Sequence, residues 1–404
     1  MPTPSSCLVI DEASEVDTGK HPEGKLGPVG AFMLLLKINW GIGMMAMPYY
    51  LDQAGLWLGL AFFLLTMGLT VVSIQRLRVV RAALLSQVSR AEAASFTSLM
   101  RWALGPWGES AAMLSLVLAN FGSCIAYVKY IGDNMSRFWP EAGLAPWVWV
   151  VLVTVPLAAL SLLRDVEPLK KLSGAGLMAG QVFALLVLAK ACTSGRSLGA
   201  FLAGAPVANW STLPVAMGIC IFCNEGMVIF SPAVEASMAV GTRFPPAMYA
   251  MAVAFTVNYL IVAVCGAFLF PHPSSELSLD FSPTSWLNRT AVCFYAAQLV
   301  VSYVLVLYVV LEAAEEVAGR RLACAKRPVV QVGFRLGAVV VGSVVAASLP
   351  SFGDFIGFSG AVANTVGIYV LPHLAYLRMG EGTPVGRGVS LAILVFGVGT
   401  GAVA

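Results

Sequence analysis

The chain has 404 residues, of which 58% are hydrophobic and only 11% are charged. Soluble globular proteins carry about 25% charged residues, so this chain has too few charges to cover a water-exposed surface. Its net charge of +3 is too small to indicate nucleic-acid binding. The composition therefore predicts an all-α integral membrane protein, since each helical crossing of a bilayer takes about 20 apolar residues.

The first 26 residues are polar and lack the apolar stretch of a signal peptide. We predict that residues 1–26 form a disordered cytosolic tail. Eleven apolar segments follow, and we predict that each spans the membrane. Residues 27–376 would form a ten-helix transporter core, and residues 377–404 a short cytosolic loop and the eleventh helix. The predicted spans are 27–50, 56–75, 110–135, 146–163, 172–190, 213–239, 246–270, 290–315, 329–349, 353–376 and 388–404.

The basic residues predict the direction of these spans. Of the 24 Lys and Arg residues, eighteen fall in the tail and in the loops on its side of the membrane. Short cytoplasmic loops are enriched in Lys and Arg, so we expect a cytosolic N-terminus. The sequons at Asn209 and Asn288 lie in the two longest loops on the other side, where glycosylation occurs. We expect these two asparagines to carry glycans.

Two of the predicted spans contain residues that interrupt a helix. The first has Gly43-Met44 followed by Pro48, and the sixth has Gly226-Met227 followed by Pro232. Glycine and proline favour an unwound turn, and such a turn at membrane depth is tolerated only inside the protein or along a watery cavity. Paired interruptions in two five-helix halves indicate a secondary transporter with inverted repeats. The alternative is two ordinary helix kinks.

Around these interruptions the chain resembles the amino acid/auxin permease family, most closely its proton-coupled amino-acid transporter branch. The first span reads Leu35-Leu36-Lys37-x-Asn39-x-Gly41-x-Gly43 and resembles that branch's opening helix. Similar motifs follow along the chain, from about Gly27 to Tyr376. They are Gly122-x-Cys124-x-x-Tyr127, Asp133-Asn134, Phe222-x-x-Glu225-Gly226, Glu235-x-x-Met238, Phe244-Pro245, Phe352-Gly-Asp354-Phe and Leu371-Pro372.

The resemblance implies a LeuT-like 5+5 inverted-repeat bundle of about eleven helices, with helices 1 and 6 broken. It also implies alternating access and amino-acid substrates. Leu34 stands where proton-coupled relatives usually have a histidine, three residues before the lysine of the first helix. The resemblance therefore leaves open whether transport is coupled to H⁺, coupled to Na⁺ or uncoupled.

A free amino acid brings a carboxylate and an ammonium group, and broken helices can pair with both. Main-chain amides at the start of a half-helix attract a carboxylate, and carbonyls at the other break would face the ammonium group. By analogy with the fold, Tyr127, Ser302 and Asn39 could also line the cavity, although such side chains equally serve in helix packing. The predicted substrate-binding residues are Asn39, Trp40, Gly41, Ile42, Gly43, Met44, Phe222, Cys223, Asn224, Gly226, Tyr127 and Ser302.

Two charged residues are candidates for coupling. Glu225 is predicted near mid-bilayer, where a carboxyl group is costly and usually functional. It could carry a proton, or it could only bind the exposed amides of the broken helix. Lys37 is too deep in the first span for its ammonium to reach the surface easily. It could pair with Glu225 in place of a sodium ion, or reach a cytosolic cavity.

The sequence favours a secondary active amino-acid transporter, with proton symport as the first choice. An uncoupled facilitator or exchanger is the alternative mechanism, and a non-transporting amino-acid sensor is the alternative class. An enzyme is not expected, because the three histidines are scattered and no nucleophile motif occurs. No metal site and no cofactor are predicted. The expected location is the plasma membrane or a vacuolar or lysosomal membrane.

Overall fold

The computed structural model describes residues 26–87, 92–163, 167–321, 328–380 and 383–403. Within these ranges the chain is helical, and its one β-type contact is an isolated backbone bridge between Leu26 and Met238. The predicted cytosolic tail lies outside the described residues, apart from Leu26. Buried apolar side chains from nearly all the helices form one continuous core.

Each of the eleven predicted spans contains at least one helix, in the predicted order. Short connecting helices that hydropathy did not indicate also occur, including an amphipathic one at Phe96–Leu104. The helices are α1 (Pro28–Asn39), α2 (Met47–Ala54), α3 (Leu56–Leu84), α4 (Phe96–Leu104), α5 (Pro106–Phe138), α6 (Pro146–Ser161), α7 (Glu167–Thr193), α8 (Leu198–Gly204), α9 (Leu213–Cys223), α10 (Glu225–Ile229), α11 (Ser231–Ala236), α12 (Phe244–Leu269), α13 (Trp286–Arg321), α14 (Pro328–Ser348), α15 (Phe352–Ser359), α16 (Leu371–Met379) and α17 (Pro384–Val403).

Seven of the described helices or helix runs are by themselves long and apolar enough to cross a bilayer. The first span is different, because its two halves pass the same test only when they are taken together across a bend. The fourth and sixth predicted spans rest on shorter apolar helices, α6 and α9. The spans that qualify alone are Leu56–Leu84, Pro106–Phe138, Phe244–Leu269, Trp286–Leu311, Pro328–Ser348, Phe352–Met379 and Pro384–Val403.

The first span is broken where the sequence predicted. Helix α1 ends at Asn39, Trp40 and Gly41 leave the helical conformation, and a 3-10 turn over Ile42–Ala46 leads into α2. The two halves meet at an angle of 56°. Apolar flanks hold both halves in the bundle, whereas the glycine-containing turn supplies the bend.

The sixth span is interrupted more gently. Helix α9 ends at Cys223, Asn224 separates it from α10, and Phe230 separates α10 from α11. Gly226 stays helical, and a Cβ atom there would lie 2.9 Å from Asn39 Oδ1 on α1. This glycine therefore permits close helix packing rather than unwinding, and Asn224 carries the interruption.

The tenth span contains an irregularity that the sequence did not indicate. Two π-helical turns, Gly360–Asn364 and Val366–Val370, lie between α15 and α16. The start of this region packs its backbone directly on α9. A Cβ atom on Gly218 would collide with the Gly357 carbonyl, and one on Gly360 would collide with the Gly218 carbonyl.

We call the end of the bundle where α1 begins the proximal end. There the Glu235 carboxylate, just inside the end of α11, pairs with Arg78 at 2.9 Å and Arg81 at 3.3 Å, both on α3. The bridge to Met238 lies beside this cluster: the Leu26 N–H donates to the Ser237 carbonyl, and the Ala239 N–H donates to the Leu26 carbonyl, each at 3.0 Å. The start of α1 is thus fastened to the end of the sixth span.

We call the opposite end, where α2 and α5 end, the distal end. The segment 270–281, between α12 and α13, is the distal loop. It borders a cavity of about 620 Å³ that also touches the end of α5 and the start of α6. The cavity is lined by Asp133, Ser136, Arg137, Pro146, Phe270, Ser274, Leu279 and Asp280.

Candidate functional site

The breaks in the first and sixth spans face each other in the interior. A Cβ atom on Gly43 would lie 2.8 Å from Cys223 Sγ and 3.4 Å from Cys223 Cα, so the two backbones nearly touch. The Cys223 thiol also lies 3.7 Å from the sulfur of Met47. The predicted residues at the two breaks therefore form one cluster. Ile42, Gly43, Met44, Phe222, Cys223, Asn224 and Gly226 are all buried there.

Tyrosine hydroxyls satisfy the carbonyls that the first break leaves without helical partners. Tyr259 on α12 donates to the Asn39 carbonyl at 3.4 Å, and Tyr295 on α13 donates to the Gly41 carbonyl at 3.2 Å. Unpaired carbonyls inside a membrane protein are costly, so these bonds help to keep the turn open. Sequence reasoning missed both tyrosines, since nothing in their own spans sets them apart from packing residues.

The two other residues predicted to line the cavity, Tyr127 and Ser302, lie in different surroundings. Tyr127 on α5 is buried, and its hydroxyl would lie 3.9 Å from a Cβ atom placed on Gly41. It therefore lies beside the first break, and its role in substrate binding stays a prediction. Ser302 on α13 receives a hydrogen bond from Gln298 at 3.4 Å, and its described contacts do not place it at either break.

Glu225 connects three spans at the sixth break. It begins α10, and its carboxylate accepts a hydrogen bond from the Ser123 hydroxyl on α5 at 2.7 Å. The amide of Asn364, at the end of the first π turn, also interacts with this carboxyl. Ser123 and Asn364 were missed: Ser123 stands inside the Gly122-x-Cys124 motif, but no local signal marks Asn364.

Several buried polar atoms at the breaks have no hydrogen-bond partner among the described residues. They include Asn39 Oδ1, Trp40 Nε1 and both side-chain polar atoms of Asn224. Trp40 packs against Gly180 on α7, where a Cβ atom would lie 3.0 Å from the indole ring. Because buried polar groups are nearly always paired, these atoms mark the surface that a polar solute would contact.

Lys37 lies partly buried on α1, two residues before Asn39. Its predicted pairing with Glu225 stays a prediction. Within the described ranges, no group of three or more His, Cys, Asp or Glu side chains is arranged to hold a metal ion.

The two predicted glycosylation sites differ in exposure. The Asn209 side chain is partly exposed, and its carbonyl oxygen accepts a hydrogen bond from Ser211 at 2.8 Å. Asn288 is 1% exposed, and its amide donates to the Ser282 carbonyl at 2.9 Å. A glycan on Asn288 would require the start of α13 to rearrange, whereas the side chain of Asn209 is already accessible.

Comparison with known proteins agrees with this arrangement. Residues 24–389 match the family model described as transmembrane amino acid transporter protein. "Amino acid transporter AVT1D" from Arabidopsis thaliana is 26% identical over 376 residues, which are 89% of this chain and 66% of the relative. "Proton-coupled amino acid transporter-like protein pathetic" from Drosophila melanogaster is 23% identical over 356 residues, covering 82% of this chain and 73% of the relative.

Solved structures show the same fold at low sequence identity. The complex of MhsT with L-phenylalanine is 13% identical, with a TM-score of 0.61, and the match covers 95% of this chain and 99% of that one. A Na⁺-coupled sialic acid symporter is 12% identical, with a TM-score of 0.55, and the match covers 94% and 90% of the two chains.

These findings confirm the predicted LeuT-like fold and the predicted resemblance. They also agree with the absence of enzyme motifs, because the family and its named relatives are transporters. The chain belongs to the transmembrane amino acid transporter protein family.

Proposed function

We propose that the protein moves amino acids across a membrane by alternating access, with the substrate bound where the first and sixth spans are broken. The observation that carries this proposal is the 56° break in the first span, placed directly against the interruption at Asn224. Facing breaks expose main-chain groups inside the bundle, and a small zwitterion can pair with them.

The carboxylate of the substrate would bind at the start of the helical run Ile42–Ala54. The first amides of a helix have no acceptor within it, and the helix dipole favours negative charge there. The indole N–H of Trp40 is a further donor without a partner among the described residues. Together these groups offer donors on one side of the break.

The ammonium group would bind to acceptors on the other side. Asn39 Oδ1 has no partner among the described residues, and the carbonyls at Phe222, Cys223 and Asn224 end α9. Carbonyls at a helix C-terminus carry partial negative charge and favour a cation. This arrangement assigns opposite ends of the zwitterion to the two breaks.

Proton coupling through Glu225 is the finer part of the proposal. Its carboxyl touches α5 through Ser123 and the tenth span through Asn364, so its protonation state affects contacts among three spans. Gain or loss of a proton would therefore change how these spans pack during the transport cycle. Lys37 would serve as a fixed charge on α1 and make sodium unnecessary.

The test is uptake by purified protein in liposomes, with a panel of amino acids and imposed gradients of pH or sodium. We expect saturable uptake that an inward proton gradient drives and a sodium gradient does not. Glu225→Gln should still exchange amino acids across the membrane but should no longer concentrate them. Glu141→Gln is a matched control, because the Glu141 carboxylate is exposed and pairs with Arg289 at 2.6 Å, and it should behave like the wild type.

Other outcomes would select the alternatives. Flux that depends on neither the pH gradient nor the sodium gradient would identify a facilitator or exchanger. Saturable binding with no flux for any amino acid would identify a sensor. The same experiment in isolated plasma and vacuolar or lysosomal membranes would locate the activity.

A further inference from the structure

A second buried carboxyl group, far along the chain from the breaks, lies at the distal end. Glu276 starts the 3-10 turn Leu277–Asp280 in the distal loop and is 0% exposed. One carboxylate oxygen accepts a hydrogen bond from the Asn134 amide on α5 at 2.6 Å. The other oxygen has no hydrogen-bond partner among the described residues. Burying an ionised carboxylate in this way is costly.

The charges around Glu276 do not balance if every group is ionised. Lys129 on α5 is the cation that interacts with Glu276, and it already forms an ion pair with Asp133 at 2.9 Å. Two carboxyl groups therefore share a single ammonium group. Burial and the neighbouring Asp133 raise the pKa of Glu276 well above its usual value.

Among the described residues, Lys129 is the cation that interacts with Glu276. Two other cations contact this turn away from Glu276: Arg137 on α5 donates to the Leu279 carbonyl at 3.3 Å, and Lys190 on α7 lies 5.1 Å from the centre of the Phe281 ring. The 3-10 turn Ile42–Ala46 contains no titratable side chain. Helix α2 presents Asp52, which lies 3.5 Å from His272 of the distal loop. The described titratable groups on the elements packed against the turn are Lys129, Tyr130, Asp133 and Arg137 on α5, Tyr49, Tyr50 and Asp52 on α2, Lys190 on α7, and His272 and Asp280 on the loop.

One side of this cluster borders the distal cavity. Asp133 lines the distal cavity, while Glu276 lies behind it against Asn134. Tyr130, one position after Lys129, interacts with Ser278 of the same turn. Its ring packs on the Tyr295 ring with centroids 5.5 Å apart, and the Tyr295 hydroxyl holds the Gly41 carbonyl. The cluster is thus in contact with the first break.

We infer that Glu276 is a proton-binding site that seals the distal loop: it holds a proton while the loop is closed on α5 and releases it when the loop lifts into water. Closing then takes up a proton, so acid on the distal side favours the closed loop. This preference is lost as the pH rises through the pKa of the closed state. The site is additional to Glu225, and it does not depend on which amino acid is carried.

Infrared difference spectroscopy on purified protein tests the proton directly. Spectra recorded across a pH titration should show the carbonyl stretch of a protonated carboxyl that disappears well above the ordinary glutamate pKa of about 4.3. Glu276→Gln should remove one component of this band, and Glu225→Gln should leave that component in place whatever Glu225 itself contributes. Asp280→Asn is the matched control on the same turn. Asp280 accepts two hydrogen bonds from Ser274, so its replacement should not remove the band.

If Glu276→Gln does not fold, Asp133→Asn gives an independent test. It removes the negative neighbour but leaves Lys129, so the band should disappear at a lower pH than in the wild type. An unchanged midpoint in Asp133→Asn, or an unchanged band in folded Glu276→Gln, would overturn the inference.

Hydrogen exchange tests the seal. After correction for the intrinsic rate, amides of residues 270–281 should exchange more slowly at acidic than at alkaline pH in the wild type. In Glu276→Gln the protection should be the same at both values. A wild-type loop with pH-independent protection would refute the role in sealing. Neither measurement uses flux, so both can succeed or fail independently of the liposome uptake assay.

Discussion

At the scale of single residues, the first break depends on side chains that belong to other spans. Glycines in the first span could be recognised from the sequence, because their effect is local. The tyrosines that donate hydrogen bonds to the exposed carbonyls could not be recognised. In the sequence, a tyrosine on an apolar helix is the same whether its ring only packs or its hydroxyl also donates a hydrogen bond. The same holds for Asn364, which ends the first π turn and interacts with Glu225.

Tyr295→Phe should therefore destabilise the protein, because it leaves the buried Gly41 carbonyl unpaired. A loss of about 1–3 kcal/mol is expected for a buried acceptor without its donor. Tyr303→Phe on the same helix is the control, since the Tyr303 hydroxyl is buried without a hydrogen-bond partner among the described residues. Thermal unfolding in detergent should show a lower transition for the first variant only. Equal transitions would mean that the hydroxyl of Tyr295 contributes nothing to the turn.

The two glycines of the first break should respond differently to alanine. At Gly43 the added methyl group would press on Cys223, and overpacking of this kind costs about 1–3 kcal/mol. At Gly41 the nearest atom is the Tyr127 hydroxyl at 3.9 Å, and the extended backbone suits any residue, so we expect a change within about 0.5 kcal/mol. Unfolding midpoints compare the two variants, and a larger loss for Gly41→Ala would contradict the packing described for the break.

At the scale of helices, hydropathy located the predicted spans but not the internal form of the sixth and the tenth. The first break followed the glycines as predicted. In the sixth span Gly226 remains helical and packs closely against α1. The interruption lies at Asn224 and not at the predicted glycine. The π turns of the tenth span were not predicted, since no residue pattern in that span marks them.

The contact between α9 and the tenth span should not tolerate a side chain. Gly218→Ala would place a methyl group on the Gly357 carbonyl, and a backbone atom cannot move aside as a side chain can. We expect little folded, monodisperse protein from this variant on size-exclusion chromatography. Gly337→Ala on α14 is the control: nothing lies within 4 Å of its added Cβ, so it should be neutral or stabilising by up to about 1 kcal/mol. Normal yields of Gly218→Ala would show that the helices can separate there.

At the scale of the whole molecule, the proposed alternating access would require the proximal end to open at some stage. Here it is closed by the Glu235 ion pairs and by the bridge between Leu26 and Met238. The family resemblance implied alternating access in general terms. The sequence could not predict this bridge, because main-chain pairing across more than 200 residues leaves no pattern in either segment.

A cross-link at this bridge should stop the cycle. Cysteines at positions 26 and 238 lie on paired backbone positions, where side chains are within reach of a disulfide. In a background without the exposed native cysteines, oxidation of Leu26→Cys/Met238→Cys should abolish uptake in liposomes, and a reductant should restore it. The two single-cysteine variants serve as controls. Full uptake by a completely cross-linked sample would show that the two segments stay together throughout transport.

The bridge joins peptide groups, so replacing either side chain leaves its two hydrogen bonds intact. An alanine scan would record positions 26 and 238 as tolerant. Related chains could also carry other side chains at positions 26 and 238 and keep both main-chain hydrogen bonds. A proline at position 239, which deletes the donor to Leu26, is the substitution that would reveal it.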